Sequence, residues 1–329
     1  MPNSSSFPAS TATAASPTLQ VPPATAQPSI APAFPWLGAR AQDHGGTPRG
    51  GVQPWPAPLQ QFPGPPLSPP APQYPSSIFG GPFESLVKPL PANIQAVLAK
   101  PVAWFKEHGT GPGTGCAPLT NIAFLLDRST SMKKDKGAAI EGFNAQVEVV
   151  REGAKGAGAT TFTEVQFDTV VDIRCVAGDL AQLQPLNDET YLPNGWTALY
   201  DALGDTIAAL LSTPGIDNPN TAMLVTLFTD GEENRSSRYD STTLKALVER
   251  LEATGRWTFA LVGPLQSVTG LAQLLSVRQK NIAGYDVTSV QDKRKAFAKV
   301  AGASASFMTM RSVGGTQSSS LYDDKDLQC

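Results

Sequence analysis

The sequence predicts an α/β fold: a Rossmann-like, doubly wound and mostly parallel sheet with helices on both faces, preceded by a long extended Pro-rich arm. Three observations carry that expectation. From about residue 119, short apolar runs alternate with amphipathic helical stretches, the pattern of a parallel sheet covered by helices. One run, 223–228, is apolar throughout, as a strand buried on both faces should be. Before residue 119 the pattern is absent: of 30 prolines, 25 lie at or before Pro118.

The elements follow in order. A first strand is expected over 121–127. The helix after it places Ile140, Phe143, Val147 and Val150 at steps of three, four and three, one face of a helix. Runs 162–167 and 170–175, turned near Asp168-Thr169, read as an antiparallel pair. Leu199, Leu203, Ile207 and Leu210 mark the next helix, and 223–228 the central strand. Leu244, Leu247, Val248 and Leu251 mark another helix, 257–262 another strand, 282–286 a weaker strand, and 289–300 a last helix.

Three polar stretches punctuate this series. Asp127-Arg128-Ser129-Thr130-Ser131 closes the apolar run 122–126. Gly195-Trp196-Thr197-Ala198-Leu199 opens a helix, and Thr229-Asp230-Gly231 ends the central strand. In an open α/β sheet, ligands collect outside the carboxyl ends of the strands, near the point where strand order reverses. The three loops are therefore expected at one edge. They would bring two carboxylates and three hydroxyls there, hard oxygen ligands of the kind Mg²⁺ selects.

In this order, the three loops resemble the metal-ion-dependent adhesion site (MIDAS) of the von Willebrand factor type A family. Gly142-Phe143-Asn144, Val165-Gln166-Phe167-Asp168, Leu186-x-x-Glu189-x-Tyr191 and Thr229-Asp-Gly-Glu-Glu-Asn234 extend the likeness toward compact prokaryotic and phage-encoded members, over roughly 119–301. The resemblance implies that Ser129, Ser131 and Thr197 ligate an ion directly, while Asp127 and Asp230 hold its waters or one of them moves to direct contact. Mg²⁺ is the expected ion, with Mn²⁺ or Ca²⁺ as alternatives, and a protein partner is expected to donate a carboxylate to it. Two residues depart from the family pattern. Thr130 stands where glycine is usual, which would be costly if the position needs positive φ. Trp196 replaces a smaller residue and is a candidate partner contact, since tryptophan is enriched at binding hot spots. A third difference is Val262-Gly263-Pro264-Leu265, where that branch often has Leu-Gly-Ala-Asn, so this edge is expected to have diverged.

Charge and composition narrow the function. The net charge is −3: the first 82 residues carry only Arg40, Asp43 and Arg49, hence +1, and the remainder −4. Neither part has the basic excess of a nucleic-acid or anionic-membrane binder. No apolar run approaches the roughly 20 residues of a membrane span. The start, Met1-Pro-Asn-Ser-Ser-Ser, lacks the n- and h-regions of a secretory signal, so classical secretion is not expected. Three cysteines, Cys116, Cys175 and Cys329, are too few and odd in number for a disulfide framework. Cys175, in a strand, is expected to be an inert thiol, whereas Cys116 and Cys329 leave either a bridge or free thiols open. Both histidines, His44 and His108, precede the folded region, so no Ser-His triad or His-ligated metal centre is available inside it. Glu232-Glu233 reads as a solvated loop rather than an acid/base couple. An enzyme is not expected.

The expected organisation is a Pro/Ala/Ser-rich extended arm over 1–82, a short broken helix and Gly-rich joint over 83–118, the α/β domain over 119–311 and a flexible tail over 312–329. Phe34, Trp36, Trp55, Phe62, Tyr74, Phe79 and Phe83 punctuate the arm. The composition reads as a disordered linker, but solvating linkers usually lack such aromatics, and extended chain with spaced aromatic anchors also suits a strip lying along a partner surface. The expectation is a non-enzymatic, metal-dependent protein-binding module anchored by that arm in a large assembly, with a phage virion component as the favoured context. A soluble cytoplasmic bacterial regulator or scaffold is the alternative, so the location is virion or cytoplasm.

Overall fold

The structure is a computed structural model that describes residues 85–99 and 119–322. The arm over 1–82, the Gly-rich joint, Trp104, Phe105, Cys116 and Cys329 lie outside the described residues.

The doubly wound sheet expected from the sequence is present. Its strands are β1 (Leu119–Asp127), β2 (Ala159–Phe167), β3 (Val171–Asp179), β4 (Ala222–Phe228), β5 (Trp257–Pro264) and β6 (Ile282–Tyr285). They lie in the order β3-β2-β1-β4-β5-β6. All neighbours are parallel except β2 and β3, which form an antiparallel pair. The chain starts in the middle at β1, winds outward to one edge, then crosses to β4 and winds to the other. The point of reversal therefore lies between β1 and β4. Every residue of β1 and of β4 is buried, which explains their unbroken apolar runs.

Helices α1 (Ala92–Leu98), α2 (Lys136–Ala154), α3 (Leu199–Leu211), α4 (Ser241–Ala253), α5 (Leu265–Leu275) and α6 (Val290–Ser312) complete the layers. Side chains of α1, α3, α4 and α5 join one core with Leu125, Val225, Leu227 and Phe259 of the sheet. Those of α2 and α6 join the other, around Phe124, Phe162 and Phe228. α2 and α6 approach closely at Gly142, where a Cβ would fall 2.1 Å from the Phe297 ring. That contact accounts for the glycine in Gly142-Phe143-Asn144. Asn144 of the same stretch holds Leu186 by two bonds, donating to its carbonyl at 2.9 Å and accepting from its N–H at 2.8 Å.

Several elements differ from the sequence expectation. α5 was not anticipated: β5 runs to Pro264 and the helix begins at the next residue, so no turn residues separate them. α6 continues past 300 to Ser312, because Ala303, Phe307 and Met308 carry its buried stripe beyond Gly302. The segment before the domain packs on the domain itself. Val87, Leu90 and Ile94 enter the core, the Lys88 N–H donates to the Tyr239 hydroxyl at 3.0 Å, and Arg238 donates to the Pro89 carbonyl.

Residues 313–322, expected to be loose, form a strap. β6 pairs with β5 only from Leu261 onward, leaving the first half of β5 with an uncovered side. The strap covers it: Gln317 donates to the Glu252 and Trp257 carbonyls at 2.8 and 2.6 Å, and the Ser318 N–H to Thr258 Oγ1 at 3.0 Å. Leu321 and Tyr322 end it, both buried, with their N–H groups bonded to Asn281 Oδ1 and the Lys280 carbonyl. Ser, Gly and Asp composition concealed this because the strap is held mainly by hydrogen bonds and only two apolar side chains. Arg311 anchors its start. Fully buried, it donates to Thr120 Oγ1 at 2.8 Å and to the Leu119 and Asn220 carbonyls at 3.1 and 2.6 Å. Burial lowers its pKa from the ordinary guanidinium value. Truncating the strap's apolar anchor, Leu321→Ala, is expected to destabilise the domain by about 2 kcal/mol, read as a lower urea midpoint with an unchanged slope.

Candidate metal site

The carboxyl ends of β1 and β4 flank the reversal point, and the sequence places Asp127 and Thr229-Asp230 there. Asp127 is fully buried. Its two oxygens hold two different loops: Oδ1 accepts from the Ser129 N–H at 2.7 Å and Oδ2 from the Thr229 hydroxyl at 2.7 Å. The first contact turns the chain into a 3-10 helix, Thr130–Asp135, whose first turn presents Ser131. Ser129 Oγ and Ser131 Oγ lie 2.9 Å apart, and Ser131 donates to Asp230 Oδ1 at 2.6 Å.

Thr197 completes the group. It lies two residues before α3 rather than at its first turn, and its N–H donates to Asn234 Oδ1 at 2.8 Å. The convergence is visible at Gly231. A Cβ built there would sit 3.4 Å from Thr197 Oγ1, 3.5 Å from Ser131 Oγ and 3.8 Å from Asp127 Oδ2. Oxygens from all three loops thus surround one point that no side chain fills. The structure brings Asp127, Ser129, Ser131, Thr197 and Asp230 to one place.

The electrostatics of this place are unfavourable to two bare carboxylates. Burial drives the Asp127 pKa up to about 6, hydrogen bonds from Thr229 and Ser129 oppose the rise, and the Asp230 charge adds to it. The side chain of Asp230 is also fully buried, and its Oδ2 accepts no hydrogen bond. The nearest cation is the Lys134 ammonium, 3.5 Å from that oxygen on an exposed side chain. An exposed ammonium at that distance contributes little. Hard oxygens around an unfilled point, with one buried carboxylate oxygen that accepts no hydrogen bond, fit a divalent cation such as Mg²⁺, Mn²⁺ or Ca²⁺. Among the described residues no three His, Cys, Asp or Glu side chains cluster, so the donor set depends on hydroxyls.

A supporting layer holds the loops, and much of it went unnoticed in the sequence. The Tyr191 hydroxyl donates to the Asp127 carbonyl at 2.5 Å, and burial raises its pKa above the ordinary phenol value. Arg128 pairs with Asp168 at 3.0 Å, and the Asp168 carbonyl accepts from the Ala198 N–H at 2.8 Å. Glu233 is not a solvated loop residue. Its carboxylate accepts from the N–H groups of Tyr200 at 2.9 Å, Arg235 at 2.7 Å and Ser236 at 2.6 Å, capping α3 and the following loop. Asn234 and Tyr191 sit in motif stretches quoted above, but only the fold assigns them partners. Thr130 carries no strain: its φ is outside the left-handed region, and its N–H donates to the Gly195 carbonyl at 3.1 Å. Gly195 itself takes φ +77°, with Thr169 Oγ1 2.5 Å from where a Cβ would lie, so glycine is needed there. Trp196, next to it, is 63% exposed. Cys175 is half-buried, and burial pushes its thiol up to about 11, as expected of an inert thiol.

No family model matches the chain, and no curated protein matches it in sequence. Solved structures do resemble it in part. Proximal thread matrix protein 1 from the mussel byssus, with a zinc-occupied MIDAS motif, is 19% identical with a TM-score of 0.39. That likeness covers 56% of this chain and 47% of that one. A von Willebrand factor type A structure from Catenulispora acidiphila is 14% identical with a TM-score of 0.38, covering 58% of this chain and 43% of that one. Manganese-loaded TRAP protein from Plasmodium vivax is 17% identical with a TM-score of 0.39, covering 56% and 74%. The chain thus spans about half the length of the first two structures.

The raised Asp127 pKa has a signed consequence. The folded state holds this proton more tightly than the unfolded chain, in which an aspartate titrates near its ordinary 3.8. The group's contribution is therefore full below about pH 4 and is lost as pH rises to about 6, by at most about 3 kcal/mol. In EDTA, urea midpoints should fall across that window, and Asp127→Asn should flatten the fall.

Proposed function

We propose that this chain is a divalent-cation-dependent protein-binding module of the von Willebrand factor type A kind, and not an enzyme. The observation that carries the reading is the convergence of Thr197, Ser131 and Asp127 oxygens on the unfilled point beside Gly231, next to a buried Asp230 oxygen without a hydrogen bond. Ser129, Ser131 and Thr197 would hold the ion through hydroxyls, with Asp127 and Asp230 beside them. With only two carboxylates nearby, a bound ion would supply an electron-poor centre suited to a carboxylate from a protein partner. Trp196, exposed on the adjoining loop, would touch that partner.

The chain's own residues have the remaining tasks. Arg128 and Asp168 tie the Asp127 loop to the Thr197 loop, Asn234 fixes Thr197, and Tyr191 holds the Asp127 backbone. In the same reading, residues 1–82 anchor the module in a larger assembly. A phage virion is the favoured context because the motif stretches around the three loops resemble those of phage-encoded members, and detection of the chain in purified particles would distinguish it from a cytoplasmic scaffold.

Calorimetry tests the metal site. Asp127→Ala and Asp230→Ala should each abolish Mn²⁺ and Mg²⁺ binding while circular dichroism stays native. Asn234→Ala, which removes only the support of Thr197, should weaken binding by about 10–100-fold. Unchanged affinity in both aspartate variants would refute the site. The tether has its own test: protease should cut the free chain between Phe34 and Phe83 and spare that stretch within the assembly, and equal cutting in both would refute it.

A further inference from the structure

The loop that fixes Thr197 also grips the chain ahead of the domain. At one end of the loop Asn234 holds Thr197 twice. Its Oδ1 accepts from the Thr197 N–H at 2.8 Å, and its own N–H donates to the Thr197 carbonyl at 3.1 Å. At the other end Arg238 donates to the Pro89 carbonyl, and the Tyr239 hydroxyl accepts from the Lys88 N–H at 3.0 Å. Between these ends the loop is pinned to the first turns of α3. Ser236 Oγ accepts from the Asp201 N–H at 3.0 Å, and the Asp201 carboxylate accepts from the N–H groups of Ser237, Arg238 and Tyr239. Arg238 pairs with the buried Asp205, and the Tyr239 ring lies so close to Gly204 that a Cβ there would fall 2.4 Å from it.

The gripped segment sits on the domain without belonging to its sheet. Val87, Leu90 and Ile94 are buried in the same core as Leu203, Ile207 and Tyr239, yet residues 85–98 contribute no strand. The segment can therefore leave its seat with the backbone bonds of the sheet intact. Its departure would take the Pro89 carbonyl from Arg238 and the Lys88 N–H from Tyr239, the contacts at the far end of the Thr197 loop.

We infer that residues 85–98 are a latch on the metal site, and that Arg238 and Tyr239 are positioning residues which carry its state to Thr197. With the latch seated, loop 234–239 is held from both ends and the Thr197 hydroxyl stays in place for an ion. With the latch released, the loop loses its outer hold and the ion is bound less tightly. The coupling is reciprocal: an ion that favours the ordered loop also favours the seated latch. The inference rests on the metal-dependent reading above and adds to it a control from the amino-terminal side. Because the arm over 1–82 joins the domain through this segment, a partner that draws on the arm would lower the affinity for the ion.

Amide hydrogen exchange and calorimetry on the full chain test the latch. Leu90→Ala loosens it from the segment side, and Tyr239→Phe removes only the hydroxyl that accepts from Lys88. Each should speed exchange of the Thr197 N–H in EDTA by about tenfold and weaken Mn²⁺ binding by a similar factor. The Val225 N–H, in the fully buried β4, should keep its rate, which separates release of the latch from loss of the whole fold. In the unaltered chain, Mn²⁺ should slow exchange of the Lys88 N–H, and this response decides alone should both variants fail to fold. Unchanged Thr197 exchange in both variants would overturn the latch whether or not an ion binds. Faster Thr197 exchange with unchanged Mn²⁺ affinity would overturn its link to the ion. Absence of Mn²⁺ binding by the unaltered chain would overturn the metal reading and the affinity half of this inference. The exchange rates in EDTA, which need no ion, tell that failure apart from failure of the latch.

Discussion

The carboxylate of Asp127 is the interaction on which the top of this domain depends. It ends β1, is withdrawn from water, and spends one oxygen on the loop after β1 and the other on the loop after β4. A carboxylate in such a position disfavours its own charge by desolvation, and the rise in its pKa measures that cost. The same two bonds set where Ser131 and Asp230 stand. One expensive group thus serves as the joint between two polar loops, and its expense is what a bound cation would offset.

The placement of this joint follows from the sheet. Starting at β1 and winding outward before crossing to β4 puts two carboxyl strand ends side by side at the reversal point, with no connection between them to fill the gap. The third loop arrives by a different route. Its entry to α3 is held by the Asp168 carbonyl on one side and by Asn234 and Glu233 on the other, so the Thr197 hydroxyl is positioned from both flanks. α3 needs no side-chain cap of its own because the neighbouring loop supplies acceptors for its free N–H groups.

What was legible in the sequence was what periodicity and strand-end chemistry encode. The apolar runs of β1 and β4, the stripes of α2, α3 and α4, and the five oxygen-bearing residues stood out because each is a local pattern. What escaped was long-range or composed of few residues. α5 begins immediately after β5 with no punctuating turn, and the strap over 313–322 is held by side-chain amide and backbone bonds that composition does not report. The packing of Val87, Leu90 and Ile94 was ambiguous because a short amphipathic piece does not reveal which surface it covers. Asn234 and Tyr191 were visible as letters of a motif, but their jobs, holding one N–H and one carbonyl, exist only across distances the sequence does not show.

Accounting for hydrogen bonds separates the acids of this region by role, which sequence alone could not do. Asp201 accepts from the N–H groups of Ser237 at 3.0 Å, Arg238 at 2.8 Å and Tyr239 at 2.9 Å, so its charge is consumed by backbone. Glu233 is consumed in the same manner by three N–H groups and the Ser236 hydroxyl. Asp127 receives one N–H and one hydroxyl. Asp230 receives only a hydroxyl on one oxygen and no hydrogen bond on the other, although both are buried. A buried acceptor left unmade costs about 1–3 kcal/mol, more when charged. Asp201 and Glu233 are saturated by donors of the fold, whereas Asp135 Oδ2 and Glu252 Oε1, like Asp230 Oδ2, are buried without a hydrogen bond. What distinguishes the two at the reversal point is the set of hydroxyls from Ser129, Ser131 and Thr197 that converges beside them.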